Sequence, residues 1–221
     1  MVKEWIDLRQ PFYEGMPFSK VLGPPSIRHI AHQVTSEVQV NVTEYKFTTH
    51  IGTHVDAARH FVPDGPTIDH YPFERFVGDG VIWDMRGIGA DPITAKQLEQ
   101  CRPQTKKGDI LLVYTGWAEK YGTEAYHVHP YLSEDAARWM VEKGINIIGF
   151  DTLTLDLPVP LRKEGFDFPV HRILLGNDVL VIEHLGPNLA RVAGKRLTIG
   201  AFPIKIIGAD GAPSPIFALI E

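Results

Sequence analysis

Short runs of almost uninterrupted apolar residues constrain the fold of this chain more than any other feature. Ile110–Tyr114 and Asn146–Phe150 are two such runs, and apolar character on both faces predicts strands that are buried in a sheet. Between them, Ser133 and the two acidic residues that follow favour the start of a helix, and Gly144 favours its end. A strand, a helix and a second strand over residues 110–150 predict a crossover connection in a mixed sheet.

The remaining elements follow from the same kind of pattern. Alternating apolar and polar residues predict a half-buried strand at Val38–Thr48, and residues 12–27, rich in Gly and Pro, predict a loop. The other predicted elements are one short helix and three strands: Ile93–Gln100, Val81–Met85, Val179–Ile182 and Leu197–Ile207. No linker or repeat divides the chain, so we expect an α/β fold in a single domain over residues 1–221.

Composition narrows the class of protein. With 221 residues, 44% of them apolar, the chain can bury a substantial core. The net charge of −5 and the lack of a basic stripe argue against a nucleic-acid partner. No apolar run approaches ~18 residues, so no membrane span is expected, and the charged N-terminus does not resemble a secretory signal. Cys101 is the only cysteine, which excludes an internal disulfide and a thiolate-rich metal site and favours the cytoplasm.

The strongest chemical signal is a cluster of metal-competent side chains between residues 50 and 60. It contains His50, His54, Asp56 and His60. Imidazole nitrogen and carboxylate oxygen suit zinc or a similar divalent ion, and three protein ligands leave a coordination position for water. An open position is typical of a catalytic metal rather than a structural one. The cluster therefore predicts a catalytic metal site.

The spacing within this cluster also predicts its local shape. In extended backbone His50 and His54 would lie ~13 Å apart, which is long for two ligands of one ion. Gly52, midway between them, is the natural place for a bend, and the β-branched residues around it disfavour a helix. His60 is left open at this point as a fourth ligand, a proton donor or a structural residue.

Candidates elsewhere in the chain carry weaker signals. His171 lies in a predicted short helix, and Glu183 directly follows the strand Val179–Ile182. Taken alone, His171 is more typical of a capping or paired histidine, and Glu183 of a solvated carboxylate at the end of a strand. His127 and His129 could bind metal, but Pro130 favours a surface loop. Asp151 and Asp156 could line a site or cap and turn the chain, and Cys101 is more typical of an inert thiol than of a nucleophile.

The run from His50 to Phe61 resembles the signature of the cyclase family of metal-dependent hydrolases, to which bacterial-type kynurenine formamidases and isatin hydrolases belong. Its pattern is His50-x-Gly-Thr-His54-x-Asp56-x-x-x-His60-Phe61. The resemblance extends over nearly the whole chain through these further runs: Tyr114–Trp117, His129–Ser133, Gly149–Thr152, His171–Leu185, Pro203–Lys205 and Gly208–Pro215.

This resemblance implies a fold, a ligand set and an assembly. The fold is a swivelling β/β/α domain with a mixed sheet and flanking helices, and members are commonly homodimers or larger. One divalent ion, zinc or manganese, would be held by His50, His54 and Asp56. A second would share Asp56 and add His171 and Glu183. The position of His60 is that of the general acid/base.

Two departures from the family pattern concern the substrate pocket. Formamidases generally carry a Trp-Pro-Gly-Asp run near the N-terminus, where this chain reads Met16-Pro-Phe-Ser-Lys20. Proline commonly follows the signature aspartate by two residues, where this chain has Ala58. The reaction type is therefore better indicated than the substrate.

We accordingly expect a metal-dependent hydrolase that cleaves the carbon–nitrogen bond of a small amide, formamide or cyclic amide by metal-activated water. His60 would pass a proton to the departing nitrogen. Two alternatives remain open on the same residues. One is an ester or lactone hydrolase, and the other is a non-catalytic metal- or ligand-binding protein, which would have no need of His60.

Overall fold

A computed structural model describes residues 3–18 and 23–220 of the chain. Its helices are α1 (Ala95–Gln100), α2 (Glu134–Lys143) and α3 (Pro169–Gly176). Its strands, in chain order, are β1 (Glu4–Asp7), β2 (Ser26–Gln33), β3 (Gln39–Lys46), β4 (His54–Asp56), β5 (Val77–Asp84), β6 (Pro92–Ile93), β7 (Ile110–Tyr114), β8 (Tyr131–Leu132), β9 (Ile147–Phe150), β10 (Leu180–Glu183), β11 (Lys195–Ala201), β12 (Gly211–Pro213) and β13 (Ile216–Ile220).

Nine of these strands form one mixed sheet in the order β1-β13-β11-β5-β7-β9-β10-β4-β12. The four central strands β5, β7, β9 and β10 run parallel, and the flanking strands pair antiparallel. The crossover predicted between β7 and β9 is present, because the two strands are parallel neighbours joined through α2. That helix follows Ser133 and ends at Gly144, whose φ of 68° is left-handed.

The central strands are apolar on both sides because each side of the sheet carries its own core. On one side Leu111 packs in a buried cluster with Met140 of α2 and Leu174 of α3. On the other side Leu112 packs with Ile6 of β1 and with residues of the turns. Successive residues of one strand thus enter different cores, and the prediction of buried strands is confirmed. The architecture is a mixed α/β fold, as expected.

Four sequence-based expectations are corrected. β3 (Gln39–Lys46) is exposed along its whole length rather than half-buried, because it pairs only with β2 in a two-stranded ribbon outside the main sheet. This ribbon also takes up the end of the segment predicted as a loop, of which residues 19–22 lie outside the described residues. β11 ends at Ala201, shortly before Pro203, and does not extend to Ile207. α1 begins at Ala95 rather than at Ile93, because Thr94 is its N-cap and forms a capping box with Gln97.

Two further expectations concern membrane-spanning helices and the reactivity of Cys101. Over the described ranges, the chain has no helix with the length and apolar character needed to cross a bilayer. Cys101 directly follows α1, and its Sγ lies 3.4 Å from the backbone oxygen of Gln97. Burial raises the pKa of this thiol, which disfavours the reactive thiolate.

The centre of the sheet gives a direct test of this packing. A Cβ built on Gly80 in β5 would lie 2.3 Å from the backbone oxygen of Ile110 and 2.5 Å from Cδ1 of Ile199. A Cβ on Gly78, two residues earlier in the same strand, would meet nothing within 4 Å. We expect Gly80→Ala to lower the free energy of unfolding by about 1–3 kcal/mol, since backbone cannot move aside as a side chain can. Gly78→Ala is the matched control, and equal denaturation midpoints for both variants would contradict the packing.

Candidate metal centre

The three-residue strand β4 lies between β10 and β12 and sets the frame of the candidate site. In this register His54 lies opposite Glu183 of β10, and Asp56 lies opposite Gly211 of β12. Side chains two apart on a strand share a face, as do directly opposed residues of antiparallel neighbours. His54, Asp56 and Glu183 therefore point to the same side of the sheet, which is the side covered by α3.

Gly52 provides the bend that brings His50 to this group. Its φ is 54°, a left-handed value, and a Cβ there would lie 2.9 Å from the ring of Phe12. The bend brings the ring centroid of His50 to 5.2 Å from that of His54. The bend thereby makes His50 and His54 adjacent, whereas extended backbone would hold them far apart. The bend predicted from Gly52 is confirmed.

Asp56 joins the two histidines. Its Oδ1 lies 2.7 Å from Nδ1 of His50 and 3.2 Å from Nε2 of His54. The other ring nitrogen of His54, Nδ1, donates to the backbone oxygen of Gly52 at 2.8 Å. Nε2 of His54 thus faces the carboxylate and is the ring nitrogen that is available to bind a cation.

His171 and Glu183 complete a second group around the same carboxylate. Nε2 of His171 lies 3.1 Å from Oε1 of Glu183 and 3.5 Å from Oδ2 of Asp56. On the other side of the ring, Nδ1 of His171 lies 2.5 Å from Asp156, which also accepts the backbone N–H groups of Val170 and His171 at the start of α3. Asp156 thus orients the ring, and of the two roles left open for it, the structure places it at the site.

Two buried atoms show that these residues fit a cation. Within the described part of the chain, Nε2 of His54 and Oδ2 of Asp56 are buried without a hydrogen-bond partner. Leaving a buried polar atom unpaired costs roughly 1–3 kcal/mol, so such atoms call for an explanation. A divalent ion bound by imidazole nitrogen and carboxylate oxygen satisfies both.

Among the described residues, three groups of side chains could hold an ion, because the donor atoms within each group lie within 4.8 Å of one another. Their members are His50, Asp56 and His60; His54, Glu183 and His184; and Asp56, His171 and Glu183. The third group is the one that the family resemblance implied for a second metal. The first group includes His60, which the sequence left open as a ligand. The structure thus brings all six predicted site residues together, while their roles as ligands remain predictions.

The charges of this buried cluster are strongly coupled. Burial alone would lower the pKa of His50, but Asp56 and Asp210 outweigh it and raise that pKa to about 10. Burial alone would raise the pKa of Asp56, yet the charges of His50 and His54 hold it well below its usual range. The pKa of His171 is likewise held well above its ordinary value by Asp156, Asp56 and Glu183, against its burial. Without an ion, protons on His50 and His171 therefore help to balance the buried carboxylates.

His60 lies at the edge of the cluster. Its ring stacks on that of His50 with 3.8 Å between centroids, and its Nδ1 lies 3.3 Å from Asp210. Its side chain is 28% exposed, whereas that of His54 is 1% exposed. His60 therefore has access to a molecule that enters from solvent, which His54 lacks.

The sequence missed some residues near the site and misjudged another. Asp210 and His184 had no individual signal in the sequence. His129 was expected in a surface loop but is fully buried, because Trp117 Nε1 binds the backbone oxygen of Val128 and β8 pairs with β6 immediately afterwards. Burial lowers the pKa of His129 to about 4.

Asp151, the second aspartate whose role was left open, serves the backbone. Its carboxylate accepts the hydroxyl of Thr115 and the backbone N–H groups of residues 115–118. These bonds hold the loop after β7 in place. The alternative of capping and turning the chain is therefore the one that the structure supports for Asp151.

Comparison with known proteins gives a consistent result. The family model named Cyclase matches residues 6–157. The kynurenine formamidase of Geobacillus thermodenitrificans is 28% identical over an alignment of 221 positions, and this alignment covers 96% of each chain. The solved structure of a predicted metal-dependent hydrolase from Bacillus stearothermophilus is 26% identical, with a TM-score of 0.79 and 99% of each chain covered. Isatin hydrolase A from Ralstonia solanacearum, at 24% identity, has the same fold, with a TM-score of 0.85 over 99% of this chain and 92% of its own.

The contact between Asp156 and His171 generates a prediction. Removing a carboxylate that orients a metal-binding histidine typically weakens metal affinity about 10- to 100-fold. We expect Asp156→Asn to weaken binding through His171 and Glu183 by that factor, measured by chelator competition on protein purified without a metal-affinity tag. Asp135→Asn, which removes a carboxylate at the start of α2 that accepts the backbone N–H of Ala95, is the control. Unchanged affinity in Asp156→Asn would show that His171 is not a ligand.

Proposed function

The chain belongs to the cyclase family, and we propose that it is a metal-dependent hydrolase whose substrate is a small amide, formamide or lactam. The bond cleaved is the carbon–nitrogen bond. The observation that carries the proposal is the Asp56 carboxylate, which is buried between two groups of histidines and has an unpaired oxygen facing them. Burying such charges costs free energy that a purely structural role does not explain. A hydrolytic metal, by contrast, needs a buried cluster of these ligands.

We propose that His50, His54 and Asp56 hold one divalent ion and that Asp56, His171 and Glu183 hold a second. The ion would be zinc or manganese, since imidazole and carboxylate accept both, at one or two per chain. When bound, it supplies a Lewis acid for the carbonyl and lowers the pKa of a water. The depth of Asp56 and Glu183 keeps bulk solvent from the charges that this chemistry uses.

His60 is proposed as the proton carrier. Its position beside His50 and its partial exposure support a role at the leaving nitrogen of the substrate. The side of the site next to His60 is aromatic: the ring of Phe61 lies 4.6 Å from that of His60 and 5.3 Å from that of Phe168. Flat aromatic faces suit a planar substrate, which supports an aryl amide or a fused lactam within the proposed class.

Assembly and location are also proposed. We expect a homodimer or higher homo-oligomer. The ribbon of β2 and β3 supports this, since Val40, Val42 and Tyr45 are each more than 40% exposed on it. A cytoplasmic location is supported by the single cysteine. Neither a nucleic acid nor a membrane enters the proposal as a partner.

The proposed reaction predicts a metal-dependent cleavage of carbon–nitrogen bonds. We expect tag-free protein to hydrolyse at least one member of a panel of formamides, aryl amides and lactams, and to lose that activity after chelation and regain it with zinc or manganese. N-formylkynurenine should be a poor substrate within the panel, because the tryptophan and the Gly-Asp pair of the formamidase run are missing from Met16–Lys20. Matched esters and lactones distinguish the proposed amide hydrolase from an ester or lactone hydrolase. Cleavage of esters and lactones without cleavage of any amide would refute the proposal. Full activity in metal-free protein would refute it as well.

The roles of His60 and His54 can be separated by variants. A positioned acid/base contributes about 10²- to 10⁴-fold to the rate, so His60→Ala should lower kcat by that factor while metal content stays near that of the wild type. His54→Ala should lose both metal and activity. Metal stoichiometry is measured alongside kcat for both variants. If His60→Ala loses its metal as His54→Ala does, His60 is a ligand and not the proton carrier.

A further inference from the structure

Asp210 connects the two most exposed histidines of the site. It immediately precedes β12, and its backbone oxygen accepts the N–H of Ala57 just after β4, at 2.9 Å. Its Oδ2 lies 2.9 Å from Nε2 of His50 and 3.3 Å from Nδ1 of His60. Its Oδ1 accepts the hydroxyl of Thr49 at 2.8 Å. One carboxylate thus contacts both a proposed metal ligand and the proposed proton carrier.

We propose that Asp210 is a positioning residue that fixes which ring nitrogen carries the proton in both His50 and His60. An ionised carboxylate only accepts hydrogen bonds, so each imidazole must turn an N–H towards it. In a neutral imidazole the other nitrogen then carries the lone pair. When a cation beside Asp56 replaces the second proton of His50, the remaining proton is thereby kept on Nε2 and the lone pair lies on Nδ1. In a neutral His60 the lone pair lies on Nε2.

The surroundings of Asp210 leave this arrangement little freedom. The rings of His50 and His60 stack at 3.8 Å with 27° between their planes, so neither can rotate without displacing the other. The Thr49 hydroxyl occupies Oδ1, which holds Oδ2 towards the two rings. The backbone bond to Ala57 fixes the loop against β4. A single oxygen shared by two stacked rings therefore determines the proton arrangement of both.

The consequence differs for the two histidines. For His50, the unprotonated Nδ1 is the atom that can bind a cation beside Asp56, as in carboxylate–histidine–metal arrangements. For His60, the unprotonated Nε2 is the atom that can exchange a proton with a substrate. The second consequence rests on the proposed reaction, whereas the first rests only on the proposed binding of a metal by His50.

Two measurements on zinc-loaded protein test the inference without substrate. Nitrogen-15 NMR of the histidine side chains reports the protonated nitrogen of His50 and His60, and chelator competition reports zinc affinity. In the wild type we expect the proton of His50 on Nε2 and that of His60 on Nδ1. In Asp210→Asn we expect a mixture of both tautomers for His60 and a loss of zinc affinity of about 10- to 100-fold. Asp210→Ala should lose at least as much.

A matched control separates positioning from support of the loop. Asp69 accepts the N–H of Gly208 at 3.0 Å in the same loop and contacts neither His50 nor His60. Asp69→Asn makes the same change of charge and should leave the tautomers and zinc affinity as in the wild type. Wild-type tautomers and affinity in Asp210→Asn, or the same loss in both variants, would overturn the inference.

A third measurement concerns the reaction. With zinc saturating, we expect Asp210→Asn to lower kcat on the best panel substrate by about 10-fold or more with little change in KM, because His60 is misprotonated rather than the pocket altered. A raised KM with unchanged kcat would overturn the part of the inference that concerns His60. If the wild type cleaves no panel member, the proposed function fails, while the NMR and affinity measurements still decide the role of Asp210.

Discussion

The register of β4 between β10 and β12 is the constraint on which the site depends. Slipping the pairing of β4 with β10 by one residue would turn the opposed side chains to different faces and separate His54 from Glu183. The close approach of β12 also requires Gly211, since a Cβ there would lie 2.7 Å from the backbone oxygen of Val55. The three residues of β4 thus determine where the carboxylates of Asp56 and Glu183 meet.

This register creates an electrostatic problem that the site solves with imidazole. Asp56, Asp156 and Glu183 are all buried, and buried carboxylates are tolerated only when they are paired. Histidine can provide that pairing in two ways, because the same nitrogen can hold a proton or bind a metal. Binding a divalent ion therefore exchanges protons for metal at nearly constant local charge, and metal uptake should release protons.

The sequence predicted those parts of the structure that depend on neighbours along the chain. The bend at Gly52 and the buried strand Ile110–Tyr114 follow from local composition alone, and both are present. The convergence of His171 and Glu183 on Asp56 depends on where α3 packs and on how β10 pairs with β4, so only the family resemblance indicated it. Asp210 acts through a contact across 160 residues with His50, which no local pattern encodes. In the same way, alternation in β3 predicted a strand but could not indicate that residues on both of its faces are exposed.

The ribbon of β2 and β3 carries a consequence for motion near the site. A hairpin of two strands alone is only marginally stable in water, so its amide hydrogens should exchange through openings far less costly than unfolding of the sheet. The chain leaves β3 at Lys46 and reaches His50 only four residues later. The bond from Thr49 to Asp210 lies between the two. Because this bond anchors the chain just before His50, we expect openings of the ribbon to leave the position of His50 unchanged, although the two are neighbours in the chain.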